Sequence, residues 1–168
     1  MTADFEPGEM LEVLAVHGVR FVVVGGFAAT YHGSPHLTFD LDITPELSKQ
    51  NLDRLSDALR DLGARIRSDA VPDGVEFDHD GASLGKGTVW NLQTDHGDLD
   101  LTIEPSGTRG YPDLVEDAEE AYVLGVKVRV ASLRDVVRSK EAADRPKDRT
   151  ALPTLRRLLE AQEGDLRD

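Results

Sequence analysis

The sequence predicts an α+β (mixed α/β) domain, in which a short mixed sheet is flanked by helices and followed by a helical C-terminal segment. Strand-like and helix-like runs alternate in the first half of the chain, two hairpins follow, and two helical runs close it. The chain has 168 residues, enough for one domain with its own apolar core. We expect residues 1–130 to form the core of this single domain and residues 131–168 to complete it.

The N-terminal half contains five predicted elements. In chain order they are a helix at 9–17, a strand at 20–24, a short helix at 27–32, a strand at 39–44 and a helix at 45–62. The first helix has apolar residues three and four apart and stops at Gly18. The first strand is a β-branched run that ends at Gly25-Gly26. The last helix is expected to have Thr44 as its N-cap and Pro45 as its first residue.

The C-terminal half is predicted to contain two hairpins and three helices. The expected elements are a short strand at 64–67, an irregular stretch at 68–87, a hairpin of strands 88–94 and 98–104, a helix at 111–119, a hairpin at 121–130 and helices at 132–143 and 150–161. The second hairpin turns at Gly125, and Ser132 caps the following helix. Arg145-Pro146 separates the last two helices.

Composition and charge exclude several classes of protein. Cysteine is absent, which excludes disulfides, thiolate metal sites and cysteine nucleophiles. The net charge of −13 disfavours a general polyanion-binding surface, although residues 127–157 hold ten basic and four acidic residues and so carry +6. No apolar run is long enough for a membrane span or a signal peptide, so a cytoplasmic protein without membrane contact is expected.

Two glycines stand where the first strand meets the short helix. Gly25-Gly26 leaves backbone N–H groups accessible at the start of a helix, an arrangement that can bind a phosphate. A tight strand–helix turn would explain the same residues. The pair therefore supports a phosphate site only together with other features.

Carboxylates alternate with apolar residues on two of the predicted strands. Thr38, Asp40 and Asp42 share one face of the second strand, and Asp98 and Asp100 repeat the spacing on a later one. The residues expected to fill the core from the other face of the second strand are Leu37, Phe39, Leu41 and Ile43. Such a set of carboxylates suits Mg²⁺ or Mn²⁺ in two-metal phosphoryl transfer, whereas a solvated acidic strand is the alternative.

These residues together resemble a known family. The matching positions are Gly25-Gly26, Ala28, His32-Gly33, Thr38, Asp40-Leu41-Asp42, the hairpin 97–101, the segment 132–140 (SLRDVVRSK) and the segment 145–148 (RPKD). They resemble the minimal nucleotidyltransferases of the DNA polymerase β superfamily, and within it the AbiEii/MenT toxin-like branch. The resemblance covers most of residues 20–160.

The resemblance implies a polymerase β-like fold, with residues 1–130 as the catalytic core, and a transfer of NMP from an NTP to a hydroxyl. The residues expected to be catalytic are Asp40, Asp42, Asp100, Lys140 and Asp148, of which the first three hold the metal and Asp100 is also the base. The residues expected to bind the nucleotide phosphates are Gly25, Gly26, Thr38, Lys140 and Arg145. Positive charge just beyond the helix break assigns Arg145, Lys147 and Arg149 to the acceptor.

The sequence leaves several alternatives for the acceptor of the NMP group. The resemblance implies a tRNA 3′ end, a toxin–antitoxin pair with an antitoxin protein as partner, and silencing by phosphorylation at Thr38. An antibiotic hydroxyl or a protein side chain would use the same chemistry. A degenerate, non-catalytic binding module is a third reading, against which the intact Asp40, Asp42 and Asp100 argue.

Overall fold

Seven strands and seven helices lie within residues 3–167, which are the residues that the computed structural model describes. The helices are α1 (Pro7–Val16), α2 (Gly25–Tyr31), α3 (Lys49–Asp61), α4 (Gly81–Lys86), α5 (Tyr111–Asp117), α6 (Leu133–Ala143) and α7 (Pro146–Asp165). The strands are β1 (Phe21–Val24), β2 (Asp40–Pro45), β3 (Arg65–Ile66), β4 (Val89–Thr94), β5 (Gly97–Thr102), β6 (Glu119–Val123) and β7 (Val126–Val130). No helix in this part of the chain is long and apolar enough to cross a bilayer.

All seven strands form one mixed sheet in the order β3-β4-β5-β2-β1-β7-β6. β2 is antiparallel to β1 and parallel to β5, and β1 is parallel to β7. The predicted hairpins are β4–β5 and β6–β7. The predicted fold class, a mixed sheet flanked by helices, is confirmed.

The core lies on the face of the sheet opposite the predicted carboxylates. Leu41 and Ile43 of β2 and Leu99 and Leu101 of β5 alternate with the aspartates and are essentially fully buried. Such alternation places successive side chains on opposite faces. Burying the apolar face fixes the strand register, because a slip of one residue would put every aspartate in the core.

The predicted cap of the third helix was wrong. Thr44 and Pro45 belong to β2, where the Thr44 hydroxyl donates to the Thr102 carbonyl of β5 at 2.8 Å. The helix begins four residues later than its predicted first residue, with Ser48 as N-cap accepting from the Asn51 N–H at 3.3 Å. Thr44 therefore pairs across the sheet with β5 instead of capping the helix.

Two other boundaries differ from the prediction. The stretch 68–87, expected to be irregular, contains α4, which begins at a capping box formed by Asp80 and Ser83. The last helix begins at Pro146 rather than near residue 150, because proline fits the first turn of a helix, where its missing N–H would have no partner.

Leu37 and Phe39 do not fill the core, so that prediction was wrong. β2 begins only at Asp40, and the residues before it lie outside the sheet. The alternation therefore does not extend to them, and Leu37 and Phe39 are 85% and 70% exposed.

Candidate active site

Three aspartates from two neighbouring strands converge on one face of the sheet. The parallel register of β2 and β5 sets Asp42 opposite Asp100 and Asp40 opposite Asp98. Asp40, Asp42 and Asp100 each offer an oxygen within 4.8 Å of the others. This set, predicted from two separate motifs, is brought together by the pairing of the strands that carry it.

The turn after β1 is fitted closely to this cluster. Gly25 has a φ of +65°, and a Cβ atom there would lie 2.2 Å from Oδ2 of Asp42. Glycine is therefore required both by the backbone conformation and by the space that Asp42 occupies. A Cβ atom at Gly26 would lie 3.4 Å from the Thr38 hydroxyl, so the glycine pair, Thr38 and Asp42 form one contiguous surface.

Burial and mutual repulsion shift the titration of the cluster. Burial, followed by the charges of Asp40 and Asp100, raises the pKa of Asp42 to about 8. Burial also raises the pKa of Asp100 to about 6, although the positive charge of Arg67 opposes the shift. Carboxylates that repel each other in this way fit a divalent cation, whose charge would offset the repulsion and whose preferred ligands are carboxylate oxygens.

Arg67 is a residue of the site that sequence reasoning missed. Its Nη2 donates to Oδ1 of Asp100 at 2.9 Å and to the Leu92 carbonyl at 3.0 Å. Its Nε lies 3.3 Å from Oδ2 of Asp98. Arg67 follows the short strand β3 and reaches the cluster through the pairing of β3 with β4. No local sequence motif therefore predicts that Arg67 belongs to the site.

A buried aspartate organises the basic side of the site. Asp148 is completely buried and accepts from the Arg145 backbone N–H at 3.1 Å and the Arg145 Nε at 2.8 Å. Lys140 Nζ lies 3.5 Å from its other oxygen. Burial alone would raise the pKa of Asp148, but the hydrogen bonds from Arg145 and the charge of Lys140 hold it below its usual value.

One cleft of about 980 Å³ joins the two sides. The predicted site residues that line it are Gly25, Gly26, Thr38, Asp40, Asp42, Asp100, Lys140, Arg145 and Lys147. The Thr38 hydroxyl donates to Oδ1 of Asp40 at 2.9 Å. Asp148 lies beneath this surface, and Arg149 is outside the cleft lining, paired through two hydrogen bonds with Asp144.

Most basic side chains of the segment 127–157 form ion pairs within the protein. Eight of its ten basic side chains form ion pairs, namely Lys127, Arg129, Arg134, Arg138, Lys140, Arg145, Arg149 and Arg156. Their partners are acids of the same segment or of packed neighbours. The segment therefore offers less free positive charge than its composition indicates.

Comparison with solved structures shows the same fold in nucleotidyltransferases. The lincosamide antibiotic adenylyltransferase LnuA, bound to lincomycin, matches with a TM-score of 0.60 at 14% identity, over 94% of this chain and 99% of that one. ANT(2″)-Ia in complex with adenylyl-2″-tobramycin matches with a TM-score of 0.55 at 15% identity, over 94% and 89% of the two chains. A Thermotoga maritima protein suggested to be a nucleotidyltransferase gives 0.52 at 15% identity, over 95% and 97%.

The chain therefore has the fold seen in these nucleotidyltransferases. At these identities the likeness concerns the fold alone. No protein-family model and no curated protein sequence matches the chain. The AbiEii/MenT-like branch stays a prediction from the sequence.

Proposed function

We propose that the protein is a metal-dependent nucleotidyltransferase that transfers NMP from an NTP to an acceptor hydroxyl. The observation that carries the proposal is the convergence of Asp40, Asp42 and Asp100 in one cleft with the Gly25-Gly26 turn and Lys140. The acceptor oxygen forms a bond to the α-phosphorus, and the bond to the leaving pyrophosphate breaks. The fold supports this reaction class.

Asp40, Asp42 and Asp100 would hold Mg²⁺ or Mn²⁺. When bound, the metal lowers the pKa of the attacking hydroxyl and neutralises charge on the triphosphate. Asp100 accepts the proton of the acceptor hydroxyl, a role that suits a carboxylate next to the reacting group. Arg67 holds Asp100 in place while it does so.

The opposite side of the cleft would bind the triphosphate. Lys140 and Arg145 supply positive charge, and Gly25 and Gly26 allow phosphate oxygens to approach the backbone. Asp148 acts by fixing Lys140 and Arg145. In this proposal the C-terminal helices, residues 131–168, complete a catalytic core formed by residues 1–130.

Two acceptors deserve a test. A tRNA 3′ end, with a toxin role and an antitoxin partner, follows from the resemblance and would use Arg145, Lys147 and Arg149. A small-molecule hydroxyl is favoured by the ion pairing of eight of the ten basic residues in the segment 127–157. LnuA and ANT(2″)-Ia, which share the fold, are seen with lincomycin and with adenylyl-tobramycin. We place the small molecule first.

The test is a transfer assay with each α-³²P-labelled NTP and Mg²⁺. The acceptors offered are total tRNA, a protein extract, lincomycin and tobramycin. We expect one class of acceptor to be labelled by the wild type and by Asp165→Asn, an exposed control at the end of α7, but not by Asp42→Asn. Transfer that survives Asp42→Asn, or no Mg²⁺-dependent labelling of any acceptor by folded protein, would contradict the proposal.

Thr38 is proposed as a regulatory phosphorylation site on the same basis. Its hydroxyl lies in the cleft and bonds to Asp40, so a phosphate there would add about −1.5 to −2 charge beside the metal ligands. The added phosphate would compete with the NTP for both metal and space.

A further inference from the structure

One basic side chain in the cleft has no acidic partner. Lys147, in the first turn of α7, is exposed and lines the cleft. It forms no ion pair with any residue in the described range 3–167, whereas Lys140 and Arg145, the other Lys and Arg of the cleft lining, are both paired with Asp148. Lys147 is therefore the cation of the cleft whose charge is available to a ligand.

The face of α7 that carries Lys147 forms a wall of the cleft. Lys147, Thr150 and Ala151 all line the cleft, and their spacing of three and four residues places them on one face of the helix. The neighbouring Asp148 is completely buried. Two consecutive residues of one helical turn thus have opposite surroundings, with the acid held inside the protein and the ammonium left at the open cleft.

The charge of Lys147 acts on the candidate metal ligands. Burial and the charges of Asp40 and Asp100 raise the pKa of Asp42, and the positive charge of Lys147 opposes this rise. Asp42 is also the residue against which the Gly25 backbone is fitted. A phosphate chain bound between a metal ion on these aspartates and the glycine turn would therefore lie in the field of Lys147.

Helix stability does not explain a lysine at this position. Lys147 is the second residue of a helix of 20 residues, and a positive charge in the first turn is disfavoured by the positive end of the helix dipole. Its exposed side chain also has no acidic partner in the described part of the chain to offset that cost. A local rule that is broken in this way beside a cleft is typical of a functional residue.

We propose that Lys147 binds the triphosphate of the NTP and contacts the phosphates next to the metal, in place of the acceptor contact predicted from the sequence. A lysine ammonium is a compact charge with three N–H donors, which suits phosphate oxygens. With NTP bound, no unpaired Lys or Arg of the cleft lining would remain for an RNA backbone; without NTP, Lys147 stays free for another polyanion. This inference rests on the proposed function for the reaction, but not for the binding of polyphosphate.

The experiment measures the binding of inorganic tripolyphosphate to the full chain by calorimetry, with saturating Mg²⁺ and no acceptor. Lys147→Met removes the charge and keeps an apolar stem, whereas Lys147→Arg keeps the charge. The matched control is Arg157→Met, an exposed basic residue of the same helix outside the cleft lining. We expect Lys147→Met to bind about tenfold more weakly, Lys147→Arg to stay within about threefold of the wild type, and Arg157→Met to be unchanged.

Two further measurements separate this role from a structural one and from an acceptor contact. The thermal midpoint of Lys147→Met should not fall below that of the wild type, because the change removes a charge that the helix dipole disfavours. In the transfer assay Lys147→Met should raise the KM for NTP about tenfold and leave the KM for the acceptor within about twofold.

Three results would overturn the inference. They are an unchanged affinity of Lys147→Met for tripolyphosphate, an equal loss in Arg157→Met, and a raised KM for the acceptor with a normal KM for NTP. A failure of the proposed function is distinguishable from these, because tripolyphosphate binding requires no transfer. Binding that depends on Lys147 in a protein that labels no acceptor would refute nucleotidyl transfer and leave the polyphosphate contact standing.

Discussion

The two sides of the cleft differ in how their charged side chains are paired. On the basic side, Lys140 and Arg145 converge on the buried Asp148, whose single negative charge offsets one of their two positive charges. On the acidic side, three carboxylates approach one another, and of the three only Asp100 forms an ion pair with a basic side chain among the described residues, Arg67. The basic side thus carries its counter-charge within the protein, whereas the acidic side is where we propose that a metal ion binds.

The acidic side is electrostatically destabilised in the protein without a ligand, and the basic side is not. Burial and like charge raise the pKa of Asp42 to about 8, whereas hydrogen bonds and charge keep the pKa of Asp148 below its usual value. A group that is destabilised in the protein alone and stabilised by a ligand is typical of a functional site. The predictions below separate the two sides, from the largest expected effect to the smallest.

Replacing Asp42 should affect activity more than any other change. Asp42→Asn should lower nucleotidyl transfer by at least about 10³-fold, because it removes a metal ligand used in the transition state. The same change should raise the free energy of unfolding without metal by about 1–2 kcal/mol, since it relieves repulsion. Transfer kinetics and urea unfolding give the two values. A variant that is both active and less stable would contradict the assignment.

A negative charge at Thr38 should nearly abolish transfer. Thr38→Glu should reduce the rate about 10²-fold, because its carboxylate would crowd Asp40 and occupy the position expected for phosphate oxygens. Thr38→Val keeps the shape of the side chain and should retain most of the activity. Equal rates for the glutamate variant and the wild type would show that residue 38 does not control the site.

Removing Lys140 should weaken nucleotide binding and slow the reaction. Lys140→Ala should raise the KM for NTP about tenfold and also lower kcat, because a triphosphate contact acts in the ground state and in the transition state. Steady-state kinetics at saturating acceptor measure both constants. A change in stability with normal kinetics would instead make Lys140 only a partner of Asp148.

The metal-free protein should lose stability as the pH rises. Below about pH 4 the Asp42 carboxyl is protonated in both folded and unfolded chains. Above that pH the unfolded chain releases the proton, whereas the folded chain keeps it until about pH 8. The free energy of unfolding should therefore fall across this window, by at most about 1.4 kcal/mol per pH unit for this group, and Mg²⁺ should restore it most at the alkaline end. Urea titrations followed by the fluorescence of Trp90, the single tryptophan, measure this; a flat profile in the wild type, equal to that of Asp42→Asn, would contradict it.

The smallest effect concerns salt. If tRNA is bound, the slope of log K against log salt should be shallow, and Lys147→Ala should reduce it by about one unit, because Lys147 lines the cleft without an ion-pair partner among residues 3–167. Arg149→Ala should change the slope less, since Asp144 already neutralises that side chain. Filter binding at several salt concentrations measures both slopes. A steep slope would restore RNA as the first candidate acceptor.

The sequence predicted the carboxylate face because its signal is local. Asp40 and Asp42, like Asp98 and Asp100, are two residues apart on a strand, and a period of two fixes which face they share. Ser132 was likewise predicted correctly as the cap of α6, because capping acts over three residues.

Features set by distant partners could not be predicted in this way. The Arg67–Asp100 contact joins residues 33 positions apart through an intervening strand. β2 begins at Asp40, where the partner strand β5 offers Asp98 for pairing, and this left Leu37 and Phe39 in solvent rather than in the core. The burial of Asp148 depends on how α7 packs against α6, which no spacing reveals.

A titration with Mn²⁺ tests most directly whether Asp40, Asp42 and Asp100 bind a metal ion. Electron paramagnetic resonance at pH 7.5 would count free Mn²⁺ in the presence of wild type, Asp42→Asn and Lys140→Ala. The account predicts that the wild type and Lys140→Ala bind Mn²⁺ with similar affinity and that Asp42→Asn binds it at least about tenfold more weakly. Equal binding by the wild type and Asp42→Asn would contradict it.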